Sequence, residues 1–339
     1  MCHPAYRLLT RAAQQAAYGA ATVRERLSLN ALLLLMLAMC GSFRAAPPTK
    51  PANRTIKVPV WADSKDGAPF TAKDLTATLD GDATRFLTVL SPNDGLMLLV
   101  VLDLAGDLSL AEPAKEALAS EIEQLPPRVF VAVMRAQDGP KVLADPGGDR
   151  APALAAVRDL PVSGKAGLLD SVATVTRVAD SILAKAAVRV AVLYLTDSDV
   201  ENYREDFTNP VINSSDTHDL SRKFPEALIQ DKISKLVAVL AAREAPLFVV
   251  HLRYRGDRLG EAYQNGLKQL AEVTGGSAIF CRSSEEIADA IHRAVATITA
   301  SYSVTLALPE RPLKNVQVQL DAGANWTLGY RARFVLKER

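Results

Sequence analysis

The chain has 339 residues, of which 49% are hydrophobic and 23% are charged, and its formal net charge is +1. This length suggests about two globular domains, and the near-neutral charge gives no support for nucleic acid or an acidic membrane surface as a partner. Cys2, Cys40 and Cys281 lack the spacing of a metal site or a disulfide framework, and the four histidines form no metal-binding motif.

The N-terminal segment has the pattern of an export signal. Residues 29–40 (LNALLLLMLAMC) are apolar, follow two arginines and precede small residues. We therefore predict that residues 1–45 direct export, to the periplasm, the cell envelope or the medium. The last four apolar residues resemble a lipobox, so Cys40 is a candidate for lipidation, while a cleaved signal and a retained membrane anchor remain alternatives. Residues 46–53 form a Pro-rich linker.

Both ends of the remaining chain are rich in short alternating segments. Residues 54–92 and 301–339 show the period of β-strands, and in the tail the predicted strands are 302–308, 316–320 and 330–336. So few strands are seldom stable alone, and the termini of a domain are often close together. We predict that these two segments combine into one small antiparallel β-sandwich, with Trp61 and Trp326 in its core.

The central segment, residues 95–300, alternates strands with helices. Its first strand is a run of seven apolar residues, 96–102, that ends at Asp103. Such a run suits a strand covered on both faces. The remaining pattern predicts a doubly wound, mostly parallel α/β sheet inserted in the β-sandwich. The predicted strands are 129–134, 188–195, 246–252 and 278–280, and the main predicted helices are 109–125, 168–186, 226–243, 259–274 and 284–300.

Three short motifs in this segment resemble those of von Willebrand factor type A (vWA) domains. Residues 103–107 (DLAGD) correspond to the family's DxSxS motif, residues 164–171 (GKAGLLDS) to its threonine loop, and residues 194–199 (YLTDSD) to its third loop. The resemblance implies a Rossmann-like vWA domain over residues 95–300 with a metal-ion-dependent adhesion site at the carboxyl ends of the strands. The leader and the tail resemble those of the secreted, acidobacterial VWFA-related subgroup.

This chain departs from the adhesion-site pattern at three positions. Asp103 is retained, but Ala105 replaces the first serine, Asp107 replaces the second, and Ala166 replaces the threonine. The retained Asp197 could add charge. A Mg²⁺ ion prefers octahedral oxygen ligands, so the loss of two oxygen donors predicts a degenerate site.

Two alternatives would relieve the repulsion between the remaining carboxylates. In the first, Mg²⁺ binds in a rearranged, more hydrated site in which Asp107, with Asp199 or Thr196, replaces the lost oxygen donors. In the second, which we favour, Lys165 supplies the missing positive charge and no cofactor is needed.

The insertion at residues 200–224 follows the third motif directly. Its aromatic residues Tyr203, Phe207 and Phe224 stand among polar residues and are candidates for contacts with a partner protein. The segment around Gly164 fails the phosphate-loop pattern, so no nucleotide is expected.

No set of residues typical of catalysis is evident, and we predict that the protein is not an enzyme. The predicted function is that of an exported vWA-type module that binds an unidentified protein through the face with the degenerate metal site. Two alternatives are a structural envelope protein with an inactive site and a metal-assisted hydrolase using Asp103, Asp107 and Asp197.

Overall fold

The computed structural model describes residues 54–65, 70, 73, 75–200, 225–311 and 313–336. The predictions for the targeting segment and linker, for lipidation at Cys40, and for Tyr203, Phe207 and Phe224 lie outside the described residues. Within the described part of the chain, no helix has the length and apolar character needed to cross a membrane.

The described residues form strands at both ends and alternating strands and helices between them. The strands are β1 (Thr55–Ser64), β2 (Thr76–Leu79), β3 (Asp82–Ala83), β4 (Phe86–Leu90), β5 (Leu96–Asp103), β6 (Val129–Arg135), β7 (Lys141–Ala144), β8 (Arg189–Thr196), β9 (Leu247–His251), β10 (Ala278–Phe280), β11 (Tyr302–Ala307), β12 (Asn315–Asp321), β13 (Trp326–Tyr330) and β14 (Arg333–Val335). The helices are α1 (Leu108–Gln124), α2 (Ala151–Arg158), α3 (Leu168–Lys185), α4 (Pro225–Leu240), α5 (Arg258–Glu272) and α6 (Glu286–Thr299).

The central unit is a six-stranded sheet in the order β10-β9-β8-β5-β6-β7. All its strand pairs are parallel except β6 with β7, which is antiparallel. Every residue of β5 and β8 is buried, because helices cover both faces of the sheet and leave two apolar cores. The predicted doubly wound α/β class is confirmed.

A composite β-sandwich packs against one end of this unit. One of its sheets has the order β13-β1-β11-β4 and the other β14-β12-β2-β3, so each sheet combines strands from both ends of the described chain. Their inner faces share one core, to which both sheets contribute. Alternation sets the inner face: Val316, Val318 and Leu320 of β12 are buried while the residues between them are exposed. The predicted composite sandwich is also confirmed.

Two details of the sandwich differ from the sequence prediction. Trp326 packs on the sandwich core, but Trp61 packs on the core of the α/β unit. The reason is the pleat of β1, which turns Val58 and Val60 inward and Trp61 to the opposite face. There its indole nitrogen donates to the Thr297 carbonyl at 2.8 Å.

The segment predicted as one tail strand, residues 330–336, is not continuous. The chain leaves β13, which pairs with β1, and enters β14, which pairs with β12 in the other sheet. Arg331 lies at this crossing, and its guanidinium donates to the Arg243 carbonyl at 2.5 Å and to the Ala241 carbonyl. The switch between sheets therefore fixes the tail to the end of α4.

Arg189 forms hydrogen bonds to both of the chain segments that connect the sandwich to the α/β unit. It is buried at the start of β8. Its Nη2 donates to the carbonyls of Pro92 and Asp94 at 2.9 and 3.0 Å, on the connection that enters the unit. Its Nη1 donates to the carbonyls of Thr299 and Ser301 at 2.9 and 2.7 Å, on the connection that leaves it. One guanidinium thus satisfies four backbone acceptors.

Replacing this guanidinium by an unbranched apolar side chain tests its role. We expect Arg189→Met to lower the free energy of unfolding by about 3 kcal/mol, because four buried or partly buried carbonyls each lose a donor and, among the described residues, only that of Pro92 keeps another, from Arg128 Nε. Urea denaturation measures the change. Arg177→Met on the exposed face of α3 is the control, and equal midpoints for the two variants would contradict the assignment.

A second contact between the units surrounds Glu244, which follows α4. The backbone N–H of Lys57 in β1 donates to Glu244 Oε2 at 2.9 Å. The Lys57 ammonium donates to the carbonyls of Leu183 and Ala186 at the end of α3. Lys57 and Glu244 border a cleft of about 360 Å³ between the units. Burial, with a smaller contribution from the nearby Asp180, raises the pKa of Glu244 to about 7, although the hydrogen bond from Lys57 and the charges of Lys57 and Arg331 act in the opposite direction.

This raised pKa predicts a stability that falls as pH rises. The folded state disfavours the ionised form of Glu244, which lowers the free energy of unfolding of the wild type above pH 7. This destabilisation disappears as the pH falls toward the pKa of the carboxyl in the unfolded chain. Glu244→Gln keeps an acceptor for Lys57 and removes the charge. We expect it to be more stable than wild type by up to about 3 kcal/mol at about pH 8.5 and by less than about 1 kcal/mol at about pH 5.

Urea denaturation at the two pH values measures this difference, with Glu310→Gln on the exposed sandwich surface as the matched control. A pH-independent difference between Glu244→Gln and wild type would show that the carboxyl does not carry this cost.

Candidate functional site

The predicted site lies at the edge of the central sheet where the parallel strands end. Asp103 is the last residue of β5 and is paired in register with Thr196, the last residue of β8. Loops leaving several strands meet at this edge, which is the usual place for ligands of α/β sheets. We call the surface formed by residues 104–108, 163–168, 197–199, 253–255 and 282 the top face.

Asp103 holds the second and third loops in place. Its Oδ1 accepts the N–H of Gly167 at 2.8 Å, and its Oδ2 accepts the N–H of Leu168 at 3.1 Å. Oδ2 also accepts the hydroxyls of Ser198 at 2.9 Å and Thr196 at 3.2 Å. Complete burial raises the pKa of Asp103 to about 6, and these four hydrogen bonds limit the rise. Asp103 is therefore mainly ionised at pH 7.

Asp197 binds the first loop in the same way. Its Oδ1 accepts the N–H of Ala105 at 2.8 Å, and its Oδ2 accepts those of Gly106 at 3.0 Å and Asp107 at 2.8 Å. Three successive backbone amides make a concave site for an anion. The protein fills this concavity with its own carboxylate, so the first loop is anchored to the third.

The other two predicted carboxylates also have internal partners. Asp107 is the N-cap of α1, where its Oδ1 accepts the hydroxyl and the N–H of Ser109 at 2.6 and 3.0 Å. These hydrogen bonds hold the pKa of Asp107 below its usual value. Its Oδ2 lies 3.8 Å from Nη1 of Arg253, and Asp199 forms an ion pair with Arg255.

Ala105, Ala166 and Lys165 lie on the same loops and have no side-chain oxygen that could bind a metal. Ala166 is buried in an apolar core and Ala105 is partly buried beside it. Lys165 is exposed, and its backbone N–H donates to Asp138 Oδ1 at 2.9 Å. The hydrogen bonds to Asp103 and Asp197 described above come from residues other than Lys165. That Lys165 replaces a metal ion remains a prediction.

The described residues do not fit the divalent-metal site that the vWA resemblance implies. Oxygens that would face a cation instead accept N–H and O–H donors, and a cation there would have to displace those donors. Nowhere in the described part of the chain do three or more His, Cys, Asp or Glu side chains lie together as a metal site requires. The rearranged magnesium site is therefore not supported by this geometry.

Two polar residues of the site, His251 and Ser198, were not identified as site residues from the sequence. His251 ends β9 and is buried, and its Nε2 lies 2.8 Å from the Ser198 carbonyl. Its Nδ1 accepts the N–H of Arg253 at 3.3 Å, which makes Nε2 the donor to Ser198. Burial lowers the pKa of His251, so the ring is neutral at pH 7. A polar residue at the end of a parallel strand was the available sequence signal.

No family model matches this chain, and no curated protein matches it. Among solved structures, it is similar to a von Willebrand factor type A protein from Catenulispora acidiphila, with 14% identity over 86% of this chain and 76% of that chain and a TM-score of 0.41.

Two further structures show the same range of similarity. The vWF domain of the type V pili tip protein Mfa5 from Porphyromonas gingivalis has 13% identity over 62% of this chain and 96% of that chain, with a TM-score of 0.40. The ArnB paralog VWA2 from Sulfolobus acidocaldarius has 12% identity over 83% of this chain and 75% of that chain, with a TM-score of 0.39. Identities this low say nothing about activity, ligand or partner.

Substitutions at Asp197 test the anchoring of the first loop. We expect Asp197→Ala to lower the free energy of unfolding by about 2 kcal/mol, because three amides lose their acceptor at once. Asp197→Asn keeps one carbonyl oxygen and should cost less. Urea denaturation measures both, and hydrogen exchange at Gly106 and Asp107 should quicken in the same order. Asp145→Ala, at an exposed position, is the control. Unchanged hydrogen exchange at these two amides in both variants would contradict the role of Asp197 in anchoring the first loop.

Proposed function

We propose that this protein is a vWA-type module that binds another protein through its top face without a divalent ion and without catalysis. The observation that carries this proposal is the internal pairing of the site's carboxylates. Asp103 and Asp197 together accept seven donors from the protein itself, five of them backbone amides. A face held in one shape by its own hydrogen bonds is preorganised for a rigid-body contact.

The chemistry of the neighbouring polar groups supports a non-catalytic role. A hydroxyl or thiol nucleophile needs a free general base beside it. The Ser198 hydroxyl instead donates to the buried Asp103, and His251 has both ring nitrogens engaged. The proposal that the protein is exported rests on the sequence of residues 1–45 alone.

The experiment places a photo-crosslinking amino acid at Ser163, on the exposed rim of the top face, in the full chain expressed in its source cells. We expect an adduct of defined mass from this position, formed equally with about 5 mM MgCl₂ and with EDTA in excess over divalent ions, because the carboxylates already have donors. Crosslinking at Glu310, on the exposed sandwich surface, is the matched control.

The outcomes separate the alternatives. An adduct from Glu310 alone would favour the structural envelope protein and contradict binding by the top face. An adduct from Ser163 that requires Mg²⁺ would contradict metal-independent binding and restore the rearranged magnesium site.

A further inference from the structure

Two large apolar side chains are exposed on the top face. Leu108, the first residue of α1, is 63% exposed, and Tyr254, which follows β9, is 43% exposed. In the described part of the chain only two other large hydrophobic side chains, Val239 and Val335, are exposed to this degree. Two of these four strongly exposed apolar side chains therefore lie on the top face.

Basic groups connect these two apolar side chains. Asp107 precedes Leu108 and lies 3.8 Å from Arg253, which precedes Tyr254. The guanidinium of Arg282 lies 5.8 Å from the centroid of the Tyr254 ring. We call Leu108, Asp107, Arg253, Tyr254 and Arg282 the top-face strip.

Hydrogen bonds hold the backbone of the strip in place. The N–H groups of Arg253 and Tyr254 donate to His251 Nδ1 at 3.3 Å and to the Cys281 carbonyl at 2.7 Å. The N–H of Asp107 donates to Asp197 at 2.8 Å. Because the strip is already ordered, a partner that contacts it loses little conformational entropy of this chain on binding.

The charge that the strip offers to a partner is positive. Arg253 is about half exposed, and its ion pair with Asp107 is long and open to solvent, so it contributes little. Arg282 is exposed; its backbone N–H donates to Glu286 Oε2 at 2.8 Å, while its guanidinium lies over the Tyr254 ring and forms no ion pair with a carboxylate among the described residues. The carboxylates that could offset this charge are engaged, Asp197 by the first loop and Asp199 by Arg255.

We propose that the top-face strip binds an acidic peptide segment of a partner protein, one that carries a bulky apolar side chain between its carboxylates. Arg253 and Arg282 would bind the carboxylates directly, with the bidentate geometry that a guanidinium allows. Leu108 and the Tyr254 ring would cover the apolar side chain. This inference rests on the proposed function and names the chemistry of the partner.

The test uses three fluorescein-labelled peptides, EEFEE, EEGEE and KKFKK, and fluorescence anisotropy with the full chain. We expect EEFEE to bind, EEGEE to bind more weakly, and KKFKK not to bind. The affinity for EEFEE should fall steeply between about 50 and about 500 mM NaCl and should not change on addition of EDTA.

Variants locate the binding. The double substitution Arg253→Gln and Arg282→Gln should weaken EEFEE binding roughly tenfold, and Leu108→Ala roughly threefold. The control for the arginines is Arg311→Gln, since Arg311 is equally exposed and is paired with Asp82 on the sandwich. The control for Leu108 is Val335→Ala. Both controls should leave the affinity unchanged.

Equal loss in the control variants, or binding of EEFEE that requires Mg²⁺, would overturn the proposal. Its failure is distinguishable from failure of the proposed function. If Ser163 crosslinks to a partner but EEFEE does not bind, the top face binds a protein of other chemistry. If EEFEE binds through the strip but no adduct forms at Ser163, the acidic ligand class stands and the partner-binding function of the face does not.

Discussion

Two carboxylates at the end of the central sheet accept hydrogen bonds from the loops around them, and the shape of the top face depends on these hydrogen bonds. Loops that pass over the ends of buried strands leave backbone amides that need acceptors. Asp103 accepts amides of the second loop and hydroxyls of the third, while Asp197 in the third loop accepts amides of the first. Each carboxylate thus offsets its own desolvation by satisfying a neighbouring loop.

The same hydrogen bonds to Asp103 and Asp197 explain why the site is stable without the hydroxyl ligands of the family motif. In a metal-bound arrangement, a cation would neutralise the clustered carboxylates. Here backbone dipoles, hydroxyls and arginines surround them, with Arg255 beside Asp199 and Arg253 near Asp107. A methyl group at Ala166 then fills apolar space in the core. Recognition by such a face relies on exposed side chains, since its carboxylates are already engaged.

Two arginine side chains, each belonging to one unit, form hydrogen bonds that connect the β-sandwich and the α/β unit. Arg189 lies inside the α/β unit, yet its four hydrogen bonds reach the connections to the sandwich. Arg331 lies in the sandwich and donates to carbonyls beyond α4. Because both units contribute to these contacts, the stability of each depends on the other.

The sequence by itself determined the alternation of strands and helices, the pairing of leader with tail, and the position of Asp103 at the end of a buried strand. These features follow from hydrophobic periodicity and chain order, which are local properties. It did not determine the partners of the carboxylates, because the decisive donors are backbone amides, such as those of Gly106 and Gly167, which no residue type reveals. Nor did it determine that the tail switches sheets at Arg331. Only the tertiary structure decides such features, because they depend on which backbone groups the packing of distant segments brings together.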